Sequence, residues 1–193
     1  MKKNRLEAFS DGVLAVIITI MVLELKAPHD VSAQALVRIL PAFLSYVLSF
    51  LYIAIYWNNH HHLLHTVNRV NGSILWANNH LLFWLSLVPF VTAWSGENHF
   101  AALPVALYGI VLLMAAVAYF LLTNTIIATH GNDSVLARAI GRDYKGKVSV
   151  VLYALAVPLA FLAPIGALAI YAGVAVMWLI PDARIERAMQ NND

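Results

Sequence analysis

Residues 5–25 read RLEAFSDGVLAVIITIMVLEL. Behind a polar head, Arg5 to Asp11, the chain carries no charge until Glu24. A cleaved leader would have an apolar core of about 7–15 residues ending at a small-residue site. This run ends instead in Glu24-Leu25-Lys26-Ala27-Pro28. It therefore reads as a retained membrane-crossing helix, Arg5 to Leu25. The remaining sequence repeats the theme. Apolar runs follow at Leu36 to Trp57, Ile74 to Trp94 and Ala101 to Ile127, each long enough to cross a bilayer, which takes about 20 helical residues. A last uncharged stretch, Val148 to Ile180, contains Pro158 and Pro164. As a single helix it would measure about 50 Å, too long for one crossing. Two short helices, 148–163 and 165–180, meeting near Pro164-Ile165-Gly166, fit it better.

The bulk numbers agree. Of 193 residues, 61% are hydrophobic and only 11% charged, with mean hydropathy +0.74. Soluble domains run near 45–50% apolar and about 25% charged. The composition excludes a nucleic-acid binder, a disordered chain and a cytosolic enzyme. With no cysteine there is no disulfide, thiolate zinc site or thiol nucleophile. The expectation is an all-α integral membrane protein of one domain, 1–193, with six transmembrane helices.

Charge placement sets its orientation. Lys and Arg collect on the cytoplasmic side. With six spans and the amino terminus inside, Lys2, Lys3, Arg5, Arg69, Arg138, Arg142, Lys145, Lys147, Arg184 and Arg187 fall inside, and only Lys26 and Arg38 outside. Basic residues flank 148–180 on both sides, so that stretch crosses an even number of times and both termini are cytoplasmic. Val135 to Ile140 reads as a short amphipathic piece at the interface. Trp57, Trp76, Trp94 and Trp178 fall near span ends, where interfacial aromatics belong.

Ionisable groups inside spans are costly, and here they gather near the cytoplasmic ends of the first three. The first cluster is Arg5-Leu6-Glu7-Ala8-Phe9-Ser10-Asp11. Arg5 and Phe9 share a helix face. Arg5 and Asp11 lie about 120° apart and do not pair, so Asp11 looks to another helix for a donor. Ser10 or Asp11 as a simple N-cap is the plainer alternative. The second cluster runs from Tyr56 to His65, with His60, His61, His62 and His65. His61 and His65 share a face, but no carboxylate or Cys stands at ligand spacing, so a polar helix end is favoured over metal binding. The third is Trp76-Ala77-Asn78-Asn79-His80. One polar knot joining the three spans, from Ser10, Asp11, the histidines and His80, accounts for all of them. Beyond it, Val16, Thr19, Ile20 and Leu23 share one face of the first helix. That stripe is ordinarily a packing surface. On a symmetry axis between subunits it would instead give stacked aliphatic rings with one hydroxyl ring, and such constrictions gate by dewetting.

Arg5-x-x-x-Phe9-Ser10-Asp11 and its continuation through Leu25 resemble the R-x-x-x-F-S-D signature and first helix of the transmembrane protein 175 family of lysosomal and prokaryotic potassium channels. Trp57-x-x-His60-His61, and Asn79 followed by Leu87-x-Pro89-Phe90, resemble its second and third spans. The resemblance implies a homotetramer, since prokaryotic members carry one six-helix unit per chain, with the first helices around a central pore. It carries the aliphatic constriction onto Val16, Ile20 and Leu23, and the pore threonine onto Thr19. Val16 is smaller than the Ile or Leu usual at the tightest ring, which moves the constriction toward Ile20 or Leu23. It implies a hydrogen-bond network of Arg5, Ser10 and Asp11 with His60, His61, Asn79 and His80, beside the signature's Phe9. It also implies passive, weakly selective conduction of potassium and other monovalent cations in a prokaryotic plasma membrane, with no cofactor and no catalytic residue. The rival readings are a proton-coupled cation transporter using Asp11 and His80, and a bis-His haem protein drawing on His60, His61 or His80.

Overall fold

The computed structural model describes residues 2–131, 134, 136–137 and 143–179, and among these every regular element is a helix. The expected interfacial piece at 135–140 lies outside the described residues, apart from Leu136 and Ala137. So do Arg138, Arg142, Arg184 and Arg187.

The first helix, α1 (Lys3–Leu23), starts two turns before Ser10. Ser10 and Asp11 are therefore interior residues, and the N-cap alternative falls. Its buried residues are Leu6, Ser10, Leu14, Ile17 and Met21, a single face at steps of three and four. That face packs on the next three helices in the chain.

The second helix, α2 (Ala33–His65), opens at Ser32, whose side chain accepts from the Ala35 amide, while Asp30 accepts from both the amide and the hydroxyl of Ser32. At 33 residues it is about 50 Å long, so it continues well past Trp57 and carries the histidines on its final turns.

The third run is bent. Asn71 caps α3 (Gly72–Ser86) by accepting from the Ile74 amide, and α4 (Val88–Glu97) follows after a break at Leu87. Pro89 has no N–H to offer Leu85, so the ladder breaks there. Near its other end α4 lies against α2. A Cβ on Gly96 would sit 2.6 Å from the Ala42 Cα, which explains the glycine.

The longest-packed element is α5 (Ala102–His130), which touches α3 and α4 as well as the two following helices. These are α6 (Tyr144–Leu159), capped by the Asp143 carboxylate, and α7 (Pro164–Leu179). The turn between them falls at residues 160–163, with Pro164 opening α7 instead of standing between the two. The segments α1, α2, Gly72–Glu97 and α5 are long and apolar enough to cross a membrane, and α7 is a shorter apolar helix.

Candidate functional site

The polar residues around Ser10, Asp11, His60 and Asn78 form two separate groups. The buried one is a directed chain. His60 Nε2 donates to Asn78 Oδ1 at 2.7 Å, Asn78 Nδ2 donates to Ser10 Oγ at 3.0 Å, and Ser10 Oγ donates to the Leu6 carbonyl at 2.9 Å. An amide oxygen only accepts, so the proton on His60 is at Nε2. Ser10 and Asn78 are completely buried and His60 nearly so. This chain ties α2 to α3 to α1.

Its asparagine is Asn78, not Asn79, and His80 is not a member. Successive residues on a helix turn by about 100°, so only one of the three points inward. Ile74, Asn78, Leu81, Leu82 and Leu85 make the buried face of α3, and that spacing sets Asn78 apart from its two neighbours. Asn79 is exposed, and His80 accepts from Trp84 Nε1 at 3.0 Å on its own helix.

The second group faces outward. Trp57 Nε1 donates to Asp11 Oδ1 at 3.0 Å, so Asp11 does find its donor on α2. His61 stacks on Trp57, with ring centroids 6.1 Å apart. Arg5 and Phe9 are exposed, and the Arg5 guanidinium bonds to no described residue. Asp11 and His61 are thus separate from the buried chain, because they lie on faces of α1 and α2 turned away from it.

The stripe on α1 also faces out. Val16 is 56% exposed, Ile20 43% and Leu23 73%, and Thr19 is exposed with them. No described residue buries these side chains. Phe9, seven residues before Val16, continues the same line. The Thr19 hydroxyl donates to the Ala15 carbonyl at 2.9 Å. Its proton is directed back into the helix, and its oxygen is left with lone pairs to present outward.

A further network has no counterpart in the sequence reading. Ser49 Oγ lies 2.6 Å from Thr92 Oγ1 and 2.8 Å from the Tyr108 hydroxyl, and Ser45 Oγ donates to the Thr92 carbonyl. Tyr52 donates to the Tyr171 carbonyl at 2.6 Å and accepts from Tyr153 at 3.1 Å. Gly109 leaves room for the Tyr171 hydroxyl, which donates to the Val105 carbonyl. These bonds join α2, α4, α5, α6 and α7. The signal was present: Ser45, Ser49, Tyr52 and Tyr56 follow one helical face of an otherwise apolar run.

The two rival chemistries fare differently from the stripe. Asp11 and His80 bond to different tryptophans and not directly to each other. His60 Nε2 is already engaged by Asn78. Among the described residues, no three His, Asp or Glu side chains come together in a metal-holding group.

The family model for the endosomal/lysosomal potassium channel TMEM175 matches residues 5–89. A potassium channel of Chryseobacterium sp. (strain P1-3) is 57% identical over 192 residues, covering 100% of both chains. A potassium channel of Streptomyces collinus is 35% identical over 134 residues, 61% of each chain. The crystal structure of a lysosomal potassium-selective channel TMEM175 homolog from Chamaesiphon minutus superposes with a TM-score of 0.81 at 27% identity, covering 93% of this chain and 97% of that one.

Proposed function

The chain belongs to the TMEM175 family of potassium channels, and from that premise we propose that four copies assemble around an axis lined by α1. Each chain would cross a prokaryotic plasma membrane six times, with α6 and α7 as the last pair and both termini in the cytoplasm. Potassium and other monovalent cations then run passively down their gradient between the subunits, with weak discrimination among them.

The observation that carries this reading is the uncovered stripe Val16, Thr19, Ile20, Leu23. In a subunit whose α1 has one well-packed face, this second face is left exposed among the described residues. Four-fold repetition gives it a partner. The aliphatic rings at Val16, Ile20 and Leu23 form a dry constriction when close together and wet when the helices splay or rotate. Thr19 supports conduction because its hydroxyl oxygen, already donating to Ala15, offers lone pairs to a partly dehydrated cation. The His60–Asn78–Ser10 chain holds the cytoplasmic half of α1 in register with the rest of the subunit.

The test is mass and flux together. In lipid nanodiscs the protein is expected at four chains per particle. In proteoliposomes it should dissipate a potassium gradient at matched pH without proton counterflow. A monomeric particle that still carries potassium would refute the axial pore. Obligatory proton counterflow would establish a transporter instead.

A further inference from the structure

A crevice of about 340 Å³ opens on another side of the subunit, between α2, α5 and α6, with Trp178 of α7 at its edge and no residue of α1 in its wall. Its walls are apolar and aromatic. Ile55, Val117, Val151 and the rings of Tyr56 and Tyr119 are among the residues that line it. Apolar space of this kind stays dry and takes an apolar guest. Two features make the guest an amphiphile. The Tyr56 hydroxyl bonds to no described residue, although its ring packs edge-on against Tyr119 in the crevice wall. It is an unused polar handle on a largely apolar surface, suited to an ester carbonyl.

The mouth supplies the second feature. Lys147 is exposed at the rim, and Lys145 Nζ stands 5.9 Å over the Trp178 ring. Asp143 is also there, but its carboxylate accepts from the Gly146 amide at 2.9 Å and offsets the positive start of α6. The rim therefore presents the Lys147 ammonium beside an acid that caps the helix. Basic pockets between membrane helices on the cytoplasmic side recognise anionic headgroups.

We infer that this crevice binds an anionic phospholipid of the cytoplasmic leaflet, with an acyl chain between α2 and α6 and its phosphate at Lys147. The assignment to that leaflet rests on the orientation proposed above; the site itself does not.

Native mass spectrometry of the purified full-length protein in detergent, with added phosphatidylglycerol or phosphatidylcholine, reads lipid retention directly. The wild type should retain phosphatidylglycerol about fivefold more, the effect of one lysine beside an anionic headgroup. Lys147→Gln should abolish that preference while leaving the protein assembled. Val117→Trp, which fills the crevice, should cut retention of both lipids; Val151→Trp at the rim serves the same purpose if Val117→Trp does not fold. Equal retention of both lipids by the wild type, a preference that survives Lys147→Gln, or undiminished retention in the filled variants would each overturn the site. The leaflet is read separately. A Ser134→Cys variant of this cysteine-free chain should react with an impermeant maleimide only from the cytoplasmic side. Labelling from outside would overturn the topology and the leaflet while leaving the micelle result standing.

Discussion

The two faces of α1 are built from similar residues and serve opposite ends. The inner face, Leu6, Ser10, Leu14, Ile17 and Met21, is buried against α2, α3 and α4, and its one polar member is bonded on both sides. The outer face, Phe9, Val16, Thr19, Ile20 and Leu23, is just as apolar and stays exposed among the described residues. Hydrophobicity alone does not distinguish a face that folds the chain from one that serves it after folding. Position relative to the neighbours does, and the same substitution should therefore have different consequences on the two sides.

The sharpest contrast is a buried amide against an exposed one. Leu14→Asn puts an unpartnered amide among packed side chains and removes a leucine that is 2% exposed. We expect a loss of about 3–5 kcal/mol, enough to abolish folded protein in detergent, read as loss of the assembled peak on size exclusion. A variant that assembles normally would break the inner-face assignment. Next in size is Asn78→Leu. It strands the His60 N–H and the Ser10 acceptor at one stroke, at about 1–3 kcal/mol for each stranded group. Thermal unfolding followed by tryptophan fluorescence should shift down accordingly, whereas Asn79→Leu, on the exposed side of the same helix, should leave it within about 0.5 kcal/mol.

That pair of asparagines also marks how far the sequence could be read. The helical apolar runs and the polar head of α1 were legible because a membrane-crossing helix demands a long uncharged segment. Helix ends were less so, since hydropathy marks where the membrane begins and not where the helix does. The segment α6 starts at Tyr144 because Asp143 caps it, four residues before the charge runs out at Val148. The helix α2 runs on to His65, since nothing in Asn58 to His65 breaks a hydrogen-bonded ladder. Pro89 announced the break between α3 and α4, but a window averaging hydropathy passes over it. In the site, the need for a knot was visible from the cost of buried polar groups, and its membership depended on a 100° turn that a cluster of adjacent polar residues conceals. The serine and tyrosine network went unseen because tyrosine and serine raise no alarm in an apolar run, although their spacing on α2 is regular.

On the outer face the readout changes from folding to flux. Ile20→Asn makes the same kind of replacement as Leu14→Asn, at a residue 43% exposed in the subunit. Stability should change by no more than about 0.5 kcal/mol. Basal potassium flux from liposomes should rise about tenfold, corresponding to a barrier lower by about 1.4 kcal/mol, because an amide ring wets a dry constriction. Unchanged flux in a properly assembled variant would remove Ile20 from the gate and leave the outer stripe as a packing surface between subunits or against lipid.

The smallest effect expected is at Thr19, and it is the most specific. Thr19→Val keeps the shape and the branched Cβ, so neither packing nor helix geometry gives it reason to matter. What it removes is an oxygen whose proton is already committed to the Ala15 carbonyl. If that oxygen coordinates passing cations, its loss should lower potassium flux about threefold, a barrier higher by about 0.6 kcal/mol. Flux of sodium, which holds its water more tightly, should fall less. Thr19→Ser restores the oxygen without the methyl and should restore the flux with it. Were Val and Ser to behave alike, the hydroxyl would have no part in conduction, and the ring at Thr19 would be one more aliphatic layer of the gate.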